Sequence, residues 1–307
     1  MADTRPNYLD PRVLATIHRL DIRARLVVEG FISGEHRSPY RGFSVEFAEH
    51  REYAPGDDLK HVDWKVYSKT DRYYVKQYEE ETNLRAHIFV DASESMRYRG
   101  QHAALSKYDY AATLAAAMSF LLLQQQDAAG LALFDNELRQ FLPPSANPAT
   151  LQTICHHLEQ AQPQRKTNVS EIFHVLAEKI RKRGFIVLIS DLFVPLDDLF
   201  RGLEHFRHRR HEVMLLHVMD DDELRFPFEG NILFRGMEEL PNLKVEPRSV
   251  RAAYLDAVRN FTAKVKRLAA HHRIDYRLIN TRENVGASLA AFLAARAATA
   301  KLAGTKR

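Results

Sequence analysis

The chain has 307 residues, enough for one substantial core plus a smaller accessory piece, and 45% of them are apolar and 27% charged. Its net charge of +4 comes from interspersed acids and bases, which argues against a nucleic-acid binder. The single cysteine, Cys155, excludes an internal disulfide, and the N-terminus lacks the basic and apolar regions of a leader, so a cytoplasmic protein is expected.

Asp10-Pro11 predicts a helix start, with Asp as the cap and Pro at the first helical position. Val13, Ile17, Leu20, Ala24 and Val27 then form one apolar stripe, with Arg19, Arg23 and Arg25 largely off it. Residues 30 to 83 lose that period. Phe43, Val45 and Phe47 alternate as in a half-buried strand, Pro55-Gly56 is a turn pair, and Tyr73, Tyr74, Val75 and Tyr78 predict another strand. Residues 1–82 therefore read as a small N-terminal helix plus a β-rich accessory module, ahead of a domain over 83–300 and a basic tail over 301–307.

Beyond Leu84, strands and helices alternate, the pattern of a parallel sheet covered on both faces. Ile88-Phe89-Val90 is a buried strand ending at Asp91, and a helix follows from near Lys107 with a face of Ala111, Leu114, Ala115, Met118, Leu121 and Leu122. The apolar run Ala111–Leu123 is too short for a comfortable membrane span. Gly130–Phe134 is a strand, with Leu138–Leu142 as its hairpin partner. Helices are expected near 148–160, holding Cys155 in its core, and near 169–182. Phe185–Ser190 is a second fully apolar strand ending in an acid, Asp191. A helix marked by Leu196, Leu199, Phe200, Leu203 and Phe206 and a strand Glu212–Met219 follow; His205, His208 and His211 are expected on the surface. Residues 220–248 look irregular. Ser249 is the expected cap of a long helix striped by Val250, Tyr254, Ala257, Phe261, Val265 and Leu268, before a strand Asp275–Ile279 and an Ala-rich helix Ala287–Ala300.

Asp91-Ala92-Ser93-Glu94-Ser95 puts an acid and two hydroxyls at the carboxyl end of a central strand, where open α/β sheets bind ligands. Hard oxygen donors without Cys or His suit Mg²⁺, Mn²⁺ or Ca²⁺ rather than Zn²⁺. Asp191 ends its strand as Asp91 does, and Thr167 precedes a helix between them, with Thr153 the weaker choice. The pentad resembles the D-x-S-x-S of the metal-ion-dependent adhesion site in von Willebrand factor A-type domains. That resemblance implies that Ser93, Ser95 and Thr167 contact the ion and that Asp91 and Asp191 act mainly through water. A position would stay open for a partner's acidic side chain.

A longer block sharpens the resemblance: Ser38-Pro39, Arg41-Gly42, Glu46-Phe47, then Arg51-Glu52-Tyr53-Ala54-Pro55-Gly56-Asp57-Asp58 and Val62-Asp63-Trp64-Lys65. These segments look like the hallmark of domain-of-unknown-function family 58, bacterial von Willebrand factor A-like proteins typically associated with MoxR-type AAA+ ATPases. The resemblance spans about residues 10 to 290. It implies a von Willebrand factor A-like, doubly wound, mostly parallel sheet, and a non-catalytic adaptor or chaperone-system component with a MoxR-type AAA+ ATPase as partner. One departure is Arg165-Lys166, where relatives often carry glycines before the threonine. Within the hallmark, Arg51, Tyr53, Pro55, Gly56, Asp57, Asp58, Asp63 and Lys65 read as a polar turn, and Trp64 as a buried tie.

The alternative is a metal-dependent hydrolase or phosphatase-like enzyme of unknown substrate. Against it, Ser93 stands where an aspartyl-phosphate phosphatase carries its second acid, and Ser93 is not in a G-x-S-x-G elbow. No phosphate-binding G-x-x-x-x-G-K-[ST] occurs, so an ATPase would be another chain.

Overall fold

A computed structural model of the chain describes residues 10–33, 47–52, 64–70, 72–78, 84–163, 169–237 and 242–304. The chain divides into two compact units, one of residues 37–83 and one of residues 1–36 with 84–307. The sequence reading grouped the first helix with the β-rich module; in this division it belongs with the large unit.

Asp10 does cap α1 (Pro11–Leu14), its carboxylate accepting from the Arg12 N–H at 2.8 Å, but this helix lasts only four residues. The chain breaks before α2 (Leu20–Ser33), so the expected continuous stripe is two helices. Arg23 bridges the break. Its guanidinium donates to the Ile17 carbonyl at 2.6 and 3.1 Å and to Thr113 Oγ1 at 3.0 Å.

In the small unit, β1 (Phe47–Glu52) pairs antiparallel with β2 (Tyr74–Tyr78), and α3 (Trp64–Thr70) lies between them in sequence. Arg51 pairs with Val75 across this ladder. Trp64 and Lys65 open α3. Trp64 is 59% exposed, meeting Tyr67 edge-on while Tyr67 stacks on Tyr73 at 4.4 Å, so the expected buried tryptophan is corrected. Phe43, Val45, Tyr53, Pro55, Gly56, Asp57, Asp58 and Asp63 lie outside the described residues.

The large unit continues through β3 (Arg85–Asp91), α4 (Lys107–Gln124), β4 (Ala128–Phe134), β5 (Leu138–Ser145), α5 (Thr150–Gln160) and α6 (Val169–Lys179). Then come β6 (Phe185–Ser190), α7 (Leu196–His208), β7 (Glu212–Met219) and α8 (Asp221–Arg225). The short antiparallel pair β8 (Ile232–Phe234) and β9 (Leu243–Val245), with α8, gives structure to a stretch expected to be irregular. Last are α9 (Pro247–His271), β10 (Asp275–Asn280) and α10 (Val285–Gly304). Ser249 lies inside α9, donating to the Glu246 carbonyl, and the cap position is Glu246.

Six strands form one sheet in the order β10-β7-β6-β3-β4-β5, parallel except for the edge hairpin β4–β5. The mixed α/β architecture with a mostly parallel central sheet is therefore as expected. Because side chains alternate along a strand, Phe89, Leu188, Leu215 and Ala132 share one face. There they pack on Phe173 of α6, Leu199 and Phe206 of α7, and Val265 of α9. Phe89 meets Phe206 edge-on at 5.7 Å, and Phe134 meets Phe173 at 5.8 Å. On the other face α4 runs under α2, α5 and α10, which explains why 15 of its residues are buried rather than a single stripe.

β3 is the switch point of this topology. The chain moves from β3 to β4 on one side and returns to β6 on the other, leaving a crevice between the carboxyl ends of β3 and β6. The two acids singled out in the sequence stand at that crevice.

Candidate functional site

Asp91 closes β3 and is 1% exposed. Its Oδ1 accepts the Ser93 N–H at 2.9 Å, which curls the loop back toward the strand end. Its Oδ2 accepts the Ser190 hydroxyl at 2.6 Å, a bond from β6 to β3 across the crevice. Burial, then the negative charge of Asp191, raises the Asp91 carboxyl well above the ordinary carboxylate range, against the Ser190 and Ser93 hydrogen bonds that lower it. Two buried acids thus stand at the carboxyl ends of the adjacent strands β3 and β6.

Ser93 and Ser95 enter the same space. Their Oγ atoms lie 3.1 Å apart, both buried, in the turn that opens the 3-10 segment Glu94–Arg97. An octahedral Mg²⁺ with ligands at about 2.0–2.1 Å separates adjacent oxygens by roughly 2.9 Å, so the hydroxyl pair has the spacing of two neighbouring ligands. Neither Asp91 nor Ser95 caps the following helix: Ser106 caps α4, accepting the Asp109 N–H, and the 3-10 segment has no side-chain cap.

Asp191 follows β6 and is not a helix cap either, since α7 starts behind Pro195 without a side-chain cap. Its Oδ1 accepts the Phe193 N–H at 3.3 Å, and its Oδ2 accepts from Lys107 Nζ at 2.8 Å. Leu192, between them, holds a left-handed φ of 60°, rare for a bulky residue and of a kind that clusters at functional loops. Phe193 is left 51% exposed beside the buried acid.

Three participants escaped the sequence reading. Ser190 supplies the cross-strand bond to Asp91, and its place directly before Asp191 was the available signal. Lys107, fully buried, bridges Asp191 and Glu223 Oε1, both at 2.8 Å. Burial lowers its proton affinity, but the two carboxylates outweigh that and raise it. Glu223 sits at the third position of α8, where its Oε2 accepts the Asp220 N–H in a capping box. The D-x-x-E spacing from Asp220 to Glu223 was legible, but the ion pair was not.

The loop before α4 is held by the next strand end. Asp220 Oδ2 accepts the Gly100 N–H at 3.1 Å and the Thr281 hydroxyl at 3.0 Å, and Asp222 Oδ2 accepts the Gln101 N–H at 2.9 Å. A side chain at Gly100 would collide with Asp220 and Asp222, so this close approach needs glycine.

Thr167 lies outside the described residues. Thr153 is exposed on α5, its hydroxyl directed at the Ala149 carbonyl. Among the described residues, no three His, Cys, Asp or Glu side chains form a metal-holding group, so an ion here would draw on the serine hydroxyls as well as carboxylate. His211 corrects the expected surface histidines. It is buried and accepts the Gly184 N–H through Nδ1 at 3.1 Å, whereas His205 and His208 are exposed.

No helix among the described residues is long and apolar enough to cross a membrane. The chain is 26% identical over 232 residues to uncharacterized proteins of Mycobacterium bovis and Mycobacterium tuberculosis, covering 75% of this chain and 72% of theirs. Among solved structures it is similar to the conserved hypothetical protein BatB from Bacteroides thetaiotaomicron, with a TM-score of 0.48 and 16% identity over 70% of this chain and 98% of that one. It is also similar to an aerotolerance-related membrane protein from Bacteroides fragilis, with a TM-score of 0.46 and 18% identity over 66% of this chain and 93% of that one. The family profile described as "Protein of unknown function DUF58" matches residues 49–264, the span that contains Asp91, the serine pair, Asp191 and Lys107, and the chain belongs to that family.

Proposed function

We propose that this chain is a non-catalytic adaptor or chaperone-system component that binds a protein partner through a metal-ion-dependent adhesion site. In this reading the large unit is von Willebrand factor A-like, and the partner is a MoxR-type AAA+ ATPase. The observation that carries it is the pair of serine hydroxyls 3.1 Å apart in the loop after the buried Asp91, with the buried Asp191 at the neighbouring strand end, at the switch point of the sheet.

Each residue has a distinct part. Ser93 and Ser95 offer neutral oxygens to Mg²⁺, Mn²⁺ or Ca²⁺, with Thr167 the proposed third. Asp91, turned by the Ser93 N–H and the Ser190 hydroxyl, supplies charge from β3. Asp191, committed to Lys107 and the Phe193 N–H, supplies charge from β6. A divalent ion so held would remain electrophilic and could take a carboxylate from the partner.

The test is calorimetric titration of Mn²⁺ or Mg²⁺, then of a MoxR-type ATPase, into wild type and a Ser93→Ala/Ser95→Ala variant with matched circular dichroism. The variant keeps the Ser93 N–H that turns Asp91, so folding is expected to survive. Partner affinity should fall by one or more tenfold steps, each ~1.4 kcal/mol. A folded variant that takes up both as wild type does would leave the pentad a structural loop.

A further inference from the structure

We infer that Lys107 sets how tightly this site holds a divalent cation, by acting as a built-in counter-charge that ties down Asp191. The inference rests on the adhesion-site reading above and adds a residue that lies outside the D-x-S-x-S pentad and the strand-end acids.

Lys107 is the first residue of α4, behind the Ser106 cap, and its own N–H is anchored on the Tyr98 carbonyl at 3.0 Å. From there the side chain runs inward rather than to solvent and ends with Nζ 2.8 Å from both Asp191 Oδ2 and Glu223 Oε1. The Phe193 ring lies 4.9 Å from Nζ and the Tyr98 ring 5.9 Å, so aromatic faces complete the enclosure. The three charged groups come from α4, the end of β6 and α8. A lysine buried this way is held by its partners, and a buried ion pair of this kind costs more desolvation than an apolar replacement would. That cost makes a structural role alone a poor account of it.

Its consequence for the site is electrostatic and positional. Each oxygen of Asp191 accepts one hydrogen bond, Oδ2 from Lys107 and Oδ1 from the Phe193 N–H, so an ion would compete with Lys107 for this carboxylate. Lys107 also brings a fixed positive charge to one of the two acids of the site, which weakens attraction for a second cation in a low-dielectric setting. Glu223 on its far side offsets part of that charge. Affinity is thereby kept within a range where the ion stays exchangeable and its open position stays reactive toward a carboxylate.

Mn²⁺ titration into the full chain tests this, with folding followed by circular dichroism. Lys107→Met keeps the length of the side chain and removes its charge, and should tighten Mn²⁺ at least tenfold. Lys107→Met/Glu223→Gln restores the local charge balance while Gln still accepts the Asp220 N–H, and should return affinity to within about threefold of wild type. Glu223→Gln alone leaves Lys107 less neutralised and should weaken Mn²⁺ several-fold; it decides the matter if Lys107→Met does not fold. If wild type binds Mn²⁺ and Lys107→Met or Glu223→Gln binds it equally, or with the opposite change, the role of Lys107 is overturned and the adhesion site stands. If neither wild type nor any variant binds Mn²⁺, both readings fall together.

Discussion

Ser190→Ala isolates the bond that joins the two halves of the site. The hydroxyl donates to Asp91 Oδ2 at 2.6 Å and accepts the Leu192 N–H at 3.0 Å, and the residue is buried. At a pH well above the value of about 7 to which Asp91 is raised, its carboxyl is ionised, and a hydrogen bond to a charged group contributes ~1.5–3 kcal/mol; the buried Leu192 N–H left without its acceptor adds to the loss. Ser119→Ala removes the same atom from an equally enclosed place. There the hydroxyl donates only to the Ala115 carbonyl of its own helix at 2.8 Å, a neutral bond worth ~1 kcal/mol or less. The first substitution should therefore cost at least ~1 kcal/mol more than the second, about 2–4 °C in Tm for a domain of this size. Urea denaturation of both variants and wild type, in chelator so that no ion contributes, measures the difference through the shift in midpoint at constant slope. The two serines lose comparable volume, so cavity terms largely cancel. If Ser190→Ala were no more destabilising than Ser119→Ala, the Asp91–Ser190 bond would not be holding β3 to β6 at the crevice.

Three further outcomes are expected. Gly202 of α7 faces Phe173, where an added Cβ would sit 2.8 Å from Phe173 Cδ2 and 3.0 Å from its Cβ. Gly202→Ala should lose ~1–3 kcal/mol to overpacking, less ~1 kcal/mol of helix propensity, and pairing it with Phe173→Leu should recover part of the loss; a simple stabilisation in urea would refute this. Burial, then the charges of His211 and Arg85, lowers His87 to about 3, against about 6.5 in the unfolded chain. Between those values the unfolded chain binds the extra proton, so stability should fall as pH drops from about 6.5, by up to ~1.4 kcal/mol per pH unit for this group. His87→Phe, which keeps a ring against Phe141, should flatten that slope between pH 6 and 4.5, and an unchanged slope would refute the assignment. Finally, the purified chain should hydrolyse neither ATP nor simple phosphoesters, given the missing phosphate loop and Ser93 in place of a second acid; turnover abolished by Asp91→Asn would overturn that expectation.

Much of the large unit was legible from local pattern. Phe185–Ser190 and Glu212–Met219 are apolar runs of strand length, and both are strands with those bounds. The start of α4 near Lys107 was equally readable, as was the placement of Asp91 and Asp191 at strand ends. These features depend on residues adjacent in the chain, where propensity, capping and periodicity act. What surrounds the acids depends on distant ones. Lys107 is 84 positions from Asp191 and 116 from Glu223, and a buried ion pair across such separations leaves no periodic trace. The same holds for Arg23 of α2 reaching Thr113, and for α4, which is buried on most sides because α2, α5 and α10 cover it. The sequence by itself determined which strands end in acids. Only the tertiary structure, by placing β6 beside β3, decided that the acids end neighbouring strands, that Ser190 bonds Asp91 across them and that a buried lysine stands against Asp191.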